Sequence, residues 1–515
     1  MKNKKSQLKT GIVLNYVNLG LGNLIPIFYT PVMLSILGQN EYGLFKLSSS
    51  VTSYLSLISL GLGSAITRYI IKAREQQGKE AEENVLGLFC IIFRIIAIAA
   101  FAVGLIMTAN LHIWYGNALS SPELSRMRIL VFLMVCNMAL SFLVSPFISV
   151  VSAHEEFVFL QCMNIISTCV GPIANLIALF MGFASVGMAV SGIIINLVTQ
   201  CCYCIFVYKK MHLRPRYKAL PINLLKEIMA FSFWIFVANV VGQLYNATDT
   251  IMIGAIPALA AAGVAVYNVG GVFSSIVSSL TIGVSSLLAP KTNSMVFSGA
   301  SNEELTDLAI KVGRIQCYII CLLVTGFIAF GRPFIGFYAG SEYGEAFWVA
   351  VFMMVPNVIP LVQSVCLNVV VAQNRHKFRS LVYLGIAILN VVGTWFLMQK
   401  WGIIGAAFMT GFALIVGPGF VMNWFYHFRT GLDMVRFWKE VGEIYIFPAV
   451  LCVITLVASR WIDFYNISAW MAGVVIYTAI YSIFNWRIVM NTYEKGIIEE
   501  PLRKISAVIK RKDNQ

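Results

Sequence analysis

One carboxylic acid in this chain sits where a carboxylic acid is costly. Of 23 aspartates and glutamates, all but Asp249 fall in polar loops, in tails or at the ends of apolar runs. Asp249 lies inside the run 228–256, ~10 Å from its end near Ile256 at ~1.5 Å per helical residue. A short carboxylate cannot reach across that distance, and leaving it charged in hydrocarbon costs ~2.5–3.5 kcal/mol. It must face a water-filled cavity, find a partner or take up a proton, and the last would suit proton coupling. Asn239, Gln243, Asn246 and Thr250 recur at helical spacing beside it, one polar stripe on an otherwise apolar segment.

Other polar groups inside apolar runs extend the list of candidates. Arg94 lies ~12 Å deep by helical rise and could draw an anion into a cavity. Lys46 sits a few residues inside its run, where it either snorkels to headgroups or pairs with Asp249. Arg68 marks the interfacial end of the same run. Asn15 and Asn18, with Gly22 and Pro26 at similar spacing, give the first run a polar, bendable face. Cys201, Cys202 and Cys204, three of 11 cysteines, read as small buried hydrophobes. No catalytic group and no metal site are expected.

The elements that hold these groups follow from composition. The chain has 515 residues, of which only 12% are charged, against about 25% in a soluble protein. That is too little charge to build a soluble surface. Apolar stretches of ~20 residues recur from end to end, each able to cross a bilayer as a helix. The expected fold is an all-α polytopic membrane protein with about 14 transmembrane helices. The spans fall near 11–37, 44–66, 86–109, 129–151, 157–181, 186–208, 228–256, 260–289, 315–331, 346–372, 380–399, 402–427, 444–459 and 468–486.

With the N-terminus inside, the outer segments hold only Arg126, Arg128, Arg332, Lys400 and Arg460 of 37 lysines and arginines. Apart from Lys46 and Arg94, all the others fall on the inner side, a strong orientation signal. The net charge of +14 is therefore an inner-leaflet feature and no sign of nucleic-acid binding. Lys209, Lys210, Arg214, Arg216 and Lys218 form a patch suited to anionic lipid headgroups. The tail, with Ile498, Leu502, Ile505 and Ile509 on one face, reads as an amphipathic helix on the membrane. No outer segment is long enough to fold into a catalytic domain, so enzymatic activity is not expected.

Short matches recur at an offset of about 220 residues. Gly43-Leu44-Phe45 corresponds to Gly263-Val264-Ala265, Phe157 to Phe378, and Val186-Gly187 to Ile404-Gly405. Two six-helix lobes related by a pseudo-twofold along the membrane normal are the expected result, plus two C-terminal helices. The segments are an N-terminal lobe 1–208, a basic linker 209–227, a C-terminal lobe 228–428, helices 13 and 14 at 429–490, and a basic tail 491–515. A cavity between such lobes suits alternating access. Glu155 and Glu156 occupy the loop before helix 5, Arg375 and Lys377 its repeat equivalent, and their opposite charges suggest an inner gate.

The stretch Leu37-Gly38-Gln39-Asn40-Glu41-Tyr42-Gly43-Leu44-Phe45, followed by Gly61-Leu62-Gly63 and Thr67-Arg68-Tyr69, resembles the start of bacterial polysaccharide (O-antigen) flippases. These form a branch of the multidrug/oligosaccharidyl-lipid/polysaccharide exporter superfamily. The resemblance continues through Asp249 and Val266-Tyr267-Asn268 and covers nearly the whole chain. It implies a flippase that moves undecaprenyl-diphosphate-linked oligosaccharide from the cytoplasmic to the outer leaflet for surface polysaccharide biosynthesis, by exchange with H⁺ or Na⁺. It implies residence in the bacterial cytoplasmic membrane with both termini inside, and membrane lipids, the lipid-linked glycan and other glycan-biosynthesis membrane proteins as partners. No cofactor beyond the coupling ion is implied. Many relatives of this type carry an acid just before the Leu-Gly of helix 2, where this chain has Ser59-Leu60-Gly61, so the N-terminal lobe has no intramembrane acid. The alternatives are a flippase for peptidoglycan precursor, a cation-coupled multidrug exporter, which would want more carboxylates than Asp249, and a non-transporting scaffold for glycan synthesis.

Overall fold

The computed structural model describes residues 2–499 apart from 218–219, 221–222, 374 and 497–498. All regular structure among them is helical. Among the described residues, eleven helices are long and apolar enough to cross a membrane, or twelve if the bent pair Ala346–Val362 and Ser364–Ala372 is one span. Two of the eleven, Thr10–Gln77 and Phe378–Phe428, are 68 and 51 residues long, each enough for two crossings at ~20 residues apiece. Large apolar side chains such as Phe28, Ile98 and Phe180 stand exposed along these helices, which water would punish and lipid accepts. The protein is a multi-pass membrane protein.

The helices group into two compact units, residues 1–272 with 380–413, and residues 273–379 with 414–515. The first unit contains α1 (Lys2–Ser53), α2 (Leu62–Gln77), α3 (Lys79–Ala109), α4 (Leu111–Tyr115), α5 (Ser121–Ala153), α6 (Phe157–Phe180) and α7 (Ala184–Ile205). It continues with α8 (Leu224–Asn246), α9 (Thr248–Gly254), the start of α10 (Ala260–Phe297) and most of α14 (His376–Leu414). Its core joins Ile66 and Ile70 of α2 to Leu86, Phe89 and Phe93 of α3 and Val150 and Val151 of α5.

Breaks inside the helices carry more information than their ends. Gly38 (φ 72°) interrupts α1 and Gly402 (φ 58°) interrupts α14, a conformation with little cost only for glycine. The apolar run 44–66, expected as one helix, is broken. A 3-10 turn at Tyr54–Ser59 ends in left-handed Leu60 and Gly61 before α2 resumes. A Cβ on Gly61 would collide with Ile235 of α8, so the break lets α8 approach closely. The run 228–256 is broken as well, between α8 and α9 at Ala247. Asn246, Thr248, Asp249 and Thr250 surround that break, and such side chains compete for backbone hydrogen bonds that a continuous helix needs.

The second unit contains the rest of α10, α11 (Asn302–Tyr338), α12 (Ala346–Val362), α13 (Ser364–Ala372), α15 (Met422–Phe428), α16 (Met434–Ala458) and α17 (Ile467–Phe484). An aromatic cluster holds it together: Phe273 packs against Phe327, Phe334 and Tyr338, and Phe330 meets Phe464 and Tyr477 edge to face. A buried ion pair joins Arg314 Nε to Glu494 Oε1 at 2.6 Å. The same guanidinium donates to the carbonyls of Glu440 and Val489 and to the Tyr318 hydroxyl, so none of its charge is stranded.

Candidate functional site

Asp249 does not point into lipid. It is 2% exposed and lies in the first turn of α9, just past the break that ends α8. Its Oδ2 accepts hydrogen bonds from the Tyr267 hydroxyl of α10 at 2.5 Å and the Thr410 hydroxyl of α14 at 2.6 Å. Bonds of this kind to a carboxylate are about twice as strong as neutral ones. Oδ1 is buried with no hydrogen-bond partner among the described residues. Thr394 adjoins the carboxyl, and its hydroxyl donates to Asn390 Oδ1 at 3.4 Å. Asn390 Nδ2 in turn donates to Thr410 Oγ1 at 3.3 Å.

Three elements build this cluster, all in the first unit: α9, α10 and the two arms of α14. Asn390 and Thr394 are four residues apart on α14 and therefore share a face. The break at Gly402 lets the chain turn back, so that Thr410 returns to Asn390 from the other side. The result is a closed cluster of carboxylate, hydroxyl and amide oxygens with one carboxylate oxygen unused. Such a set can hold a proton or a small hard cation, which prefers oxygen ligands. Among the described residues, no three of His, Cys, Asp or Glu gather as a metal site would require.

The rest of the expected polar stripe does different work. Gln243 Nε2 donates to Ser56 Oγ at 3.1 Å and to the Ser53 carbonyl at 3.3 Å, and Ser53 Oγ donates back to Gln243 Oε1. Tyr54 bonds Thr248 across the same seam. These contacts fasten α8 to the 3-10 turn. Thr250 accepts from Asn268 Nδ2 at 3.3 Å. Asn239 is exposed, and the side chain of Asn246 lies outside the described residues. On α1, Asn18 Oδ1 accepts from Thr168 at 2.9 Å, while Asn15 is half-buried.

The isolated cations separate from Asp249. Lys46 Nζ lies 5.5 Å over the Tyr42 ring, and no ion pair joins it to Asp249, whose Oδ2 is already occupied by two hydroxyls. Arg94 is exposed; it donates to the Tyr217 hydroxyl at 3.2 Å and stacks over that ring, which places it against the basic linker. Arg68 is exposed and lies over Phe231. Glu156 accepts from Gln7 and pairs with Lys210 at 3.5 Å. Glu155 is exposed in the turn before α6 with φ 60°. Arg375 donates to the Arg429 carbonyl, and the Lys377 side chain lies outside the described residues.

Cys201 is exposed, where a buried hydrophobe was expected, because it falls on the outward face of α7. Arg216, expected to attract lipid headgroups, instead pairs with Glu80 at 2.6 Å and Glu83 at 2.8 Å. Lys218, Ile498 and the tail from 500 onward lie outside the described residues.

Sequence reasoning missed a second polar network, in the helices α5 and α7. Asn196 Nδ2 donates to Asn137 Oδ1 at 2.6 Å and Ser141 Oγ at 2.8 Å. A cavity of about 420 Å³ opens beside it, lined by Ser49, Thr52, Asn137, Ser141 and methionines. Its lining contains no charged side chain among the described residues. The usable signal was there: Asn137 and Ser141 are four residues apart in an apolar run.

The chain is thus a helical membrane protein with broken spans and a buried oxygen cluster at one break. Comparison with solved structures identifies the fold. The lipid II flippase MurJ in an inward closed conformation matches 93% of this chain and 99% of its own, with a TM-score of 0.72 and 12% identity. An inward-facing multidrug resistance MATE transporter of the MOP superfamily matches 79% of this chain and 93% of its own, with a TM-score of 0.63 and 13% identity. A mutant of the Vibrio cholerae MATE transporter VcmN matches 83% of this chain and 98% of its own, with a TM-score of 0.57 and 15% identity. The fold is therefore that shared by MurJ and the MATE transporters. The family model for polysaccharide biosynthesis proteins matches residues 8–290, and the chain belongs to that family. No curated protein sequence matches significantly.

Proposed function

We propose that this protein is a flippase that carries an undecaprenyl-diphosphate-linked oligosaccharide from the cytoplasmic to the outer leaflet. It acts by alternating access in the bacterial cytoplasmic membrane, with both termini inside, and supplies surface polysaccharide such as O-antigen. Membership of the polysaccharide biosynthesis family supports the class of cargo. The observation that carries the mechanism is Asp249, buried, bonded through one oxygen and without a hydrogen-bond partner among the described residues at the other. Exchange of a proton or Na⁺ at that oxygen couples the ion gradient to transport. Tyr267 and Thr410 hold the carboxylate in place, and Asn390 and Thr394 offer further oxygens to the ion.

The test is flipping of a fluorescent lipid-linked glycan in proteoliposomes under imposed H⁺ or Na⁺ gradients. The native protein flips faster with one of these gradients. Asp249→Asn, which keeps the shape and an acceptor oxygen, loses the gradient-dependent component. Gradient dependence that survives in Asp249→Asn removes the coupling role. The likeness to MATE transporters favours a second reading, cation-coupled drug export. Organic cations want carboxylates along their path, and Asp249 is the sole acid deep inside an apolar run. Ethidium efflux from the same liposomes, with no glycan flipping, is the outcome that reading requires.

A further inference from the structure

A cavity in the second unit shares no residue with the Asp249 cluster and has no part in the mechanism above. It has a volume of about 470 Å³ and sits where the C-terminal end of α11, the start of α12 and the segment between α16 and α17 converge. Arg332, Phe347, Trp348, Ser459, Asp463 and Tyr465 supply its polar and aromatic walls. Ile328, Val351 and Leu456 line its apolar side.

Arg332 is held but not used. Its guanidinium stacks 5.2 Å from the Phe347 ring centroid and 5.0 Å from that of Trp348. Stacking fixes the plane of the group and leaves its edge of N–H donors free. Among the described residues, none accepts a hydrogen bond from it and none forms an ion pair with it. An arginine presented this way matches the paired oxygens of a phosphate. Tyr465 is 65% exposed, and Trp348, although it packs against Arg332, Phe347 and Phe352, is still 40% exposed, so both leave ring surface for a ligand. Asp463 Oδ1 accepts from the Tyr465 amide at 2.9 Å, which steadies the loop; its other oxygen can accept from a hydroxyl.

We propose that this cavity binds the headgroup of a phosphorylated glycolipid at the membrane surface. Arg332 takes a phosphate, Trp348 and Tyr465 stack against a sugar ring, Asp463 accepts from its hydroxyls, and the apolar side meets the first isoprenoid units. The inference rests on the flippase reading and deepens it. The distribution of lysine and arginine puts this end of α11 on the outer side, so the site would receive cargo after translocation.

The test uses the full-length protein in nanodiscs and direct binding of a short-chain polyprenyl-diphosphate N-acetylglucosamine. Arg332→Gln is expected to weaken that probe tenfold or more. Trp348→Ala is expected to weaken it while leaving a polyprenyl diphosphate without sugar nearly unchanged. Phosphatidylglycerol and inorganic phosphate, added as competitors, should displace the probe poorly. Native affinity in both variants overturns the proposal, as does equal displacement by phosphatidylglycerol, which would mark an ordinary lipid contact. The two readings separate cleanly. If native protein flips glycolipid and Arg332→Gln binds the probe normally, this site fails and the flippase stands. If no flipping occurs but binding depends on Arg332, the flippase reading fails and the site stands.

Discussion

Two buried acids in this protein are treated in opposite ways. Glu494, 3% exposed, meets Arg314 with both oxygens and also accepts from Tyr318 and the Asn491 amide. Asp249, 2% exposed, meets two hydroxyls on one oxygen and has no cation beside it among the described residues. The first arrangement is finished: each charge is cancelled, and the pair ties α11 to the segment after α17. The second is incomplete by one positive charge. A buried carboxylate is expensive unless paired, so the site gains most when a proton or cation arrives. One acid is a fastener, and the other is the receptor that the proposed coupling requires.

Breaking each acid's environment sharpens that contrast. The largest loss of stability is expected for Arg314→Met, which leaves Glu494 buried and unpaired at a cost of about 3–5 kcal/mol. Thermal unfolding in detergent should record it, and the double variant Arg314→Met with Glu494→Leu should recover much of the loss. No recovery would mean that the pair does more than neutralise itself. Next comes Tyr267→Phe, which deletes one hydroxyl donor to Asp249 and costs about 1.5–3 kcal/mol if the acceptor is charged. Its diagnostic reading is ion affinity in the transport assay, which should shift while maximal flipping persists. Flipping unchanged at every ion concentration would argue that the hydroxyl is mere packing. The smallest effect is expected for Asn196→Ala in the neutral network, about 0.6 kcal/mol for an interhelical hydrogen bond in a membrane. A change in ion dependence there would place coupling where no acid exists.

How far these features could be read in advance depended on their range along the chain. The membrane character, the singular acid and most helix positions were legible because each is a property of one short segment. The break at Ala247 was half legible in the polar run Asn246 to Thr250. The continuity of the run 44–66 was misread, because its break at Leu60 and Gly61 is stabilised by the approach of α8, more than 170 residues further on. Arg94 and Lys46 looked like free cations inside spans; each has an aromatic ring that no local pattern announces.

An apolar run of bilayer length declares itself through solvation alone, since removing water from some twenty residues needs no knowledge of their neighbours. The same argument singled out Asp249, whose cost is set by its own depth. Its partners are another matter. Thr394, Asn390 and Thr410 are neutral residues of the commonest kind, and nothing in their own segment distinguishes them from any other threonine or asparagine in a helix. Only folding, by turning α14 back at Gly402 and laying it against α9 and α10, decided that these oxygens would surround that carboxylate.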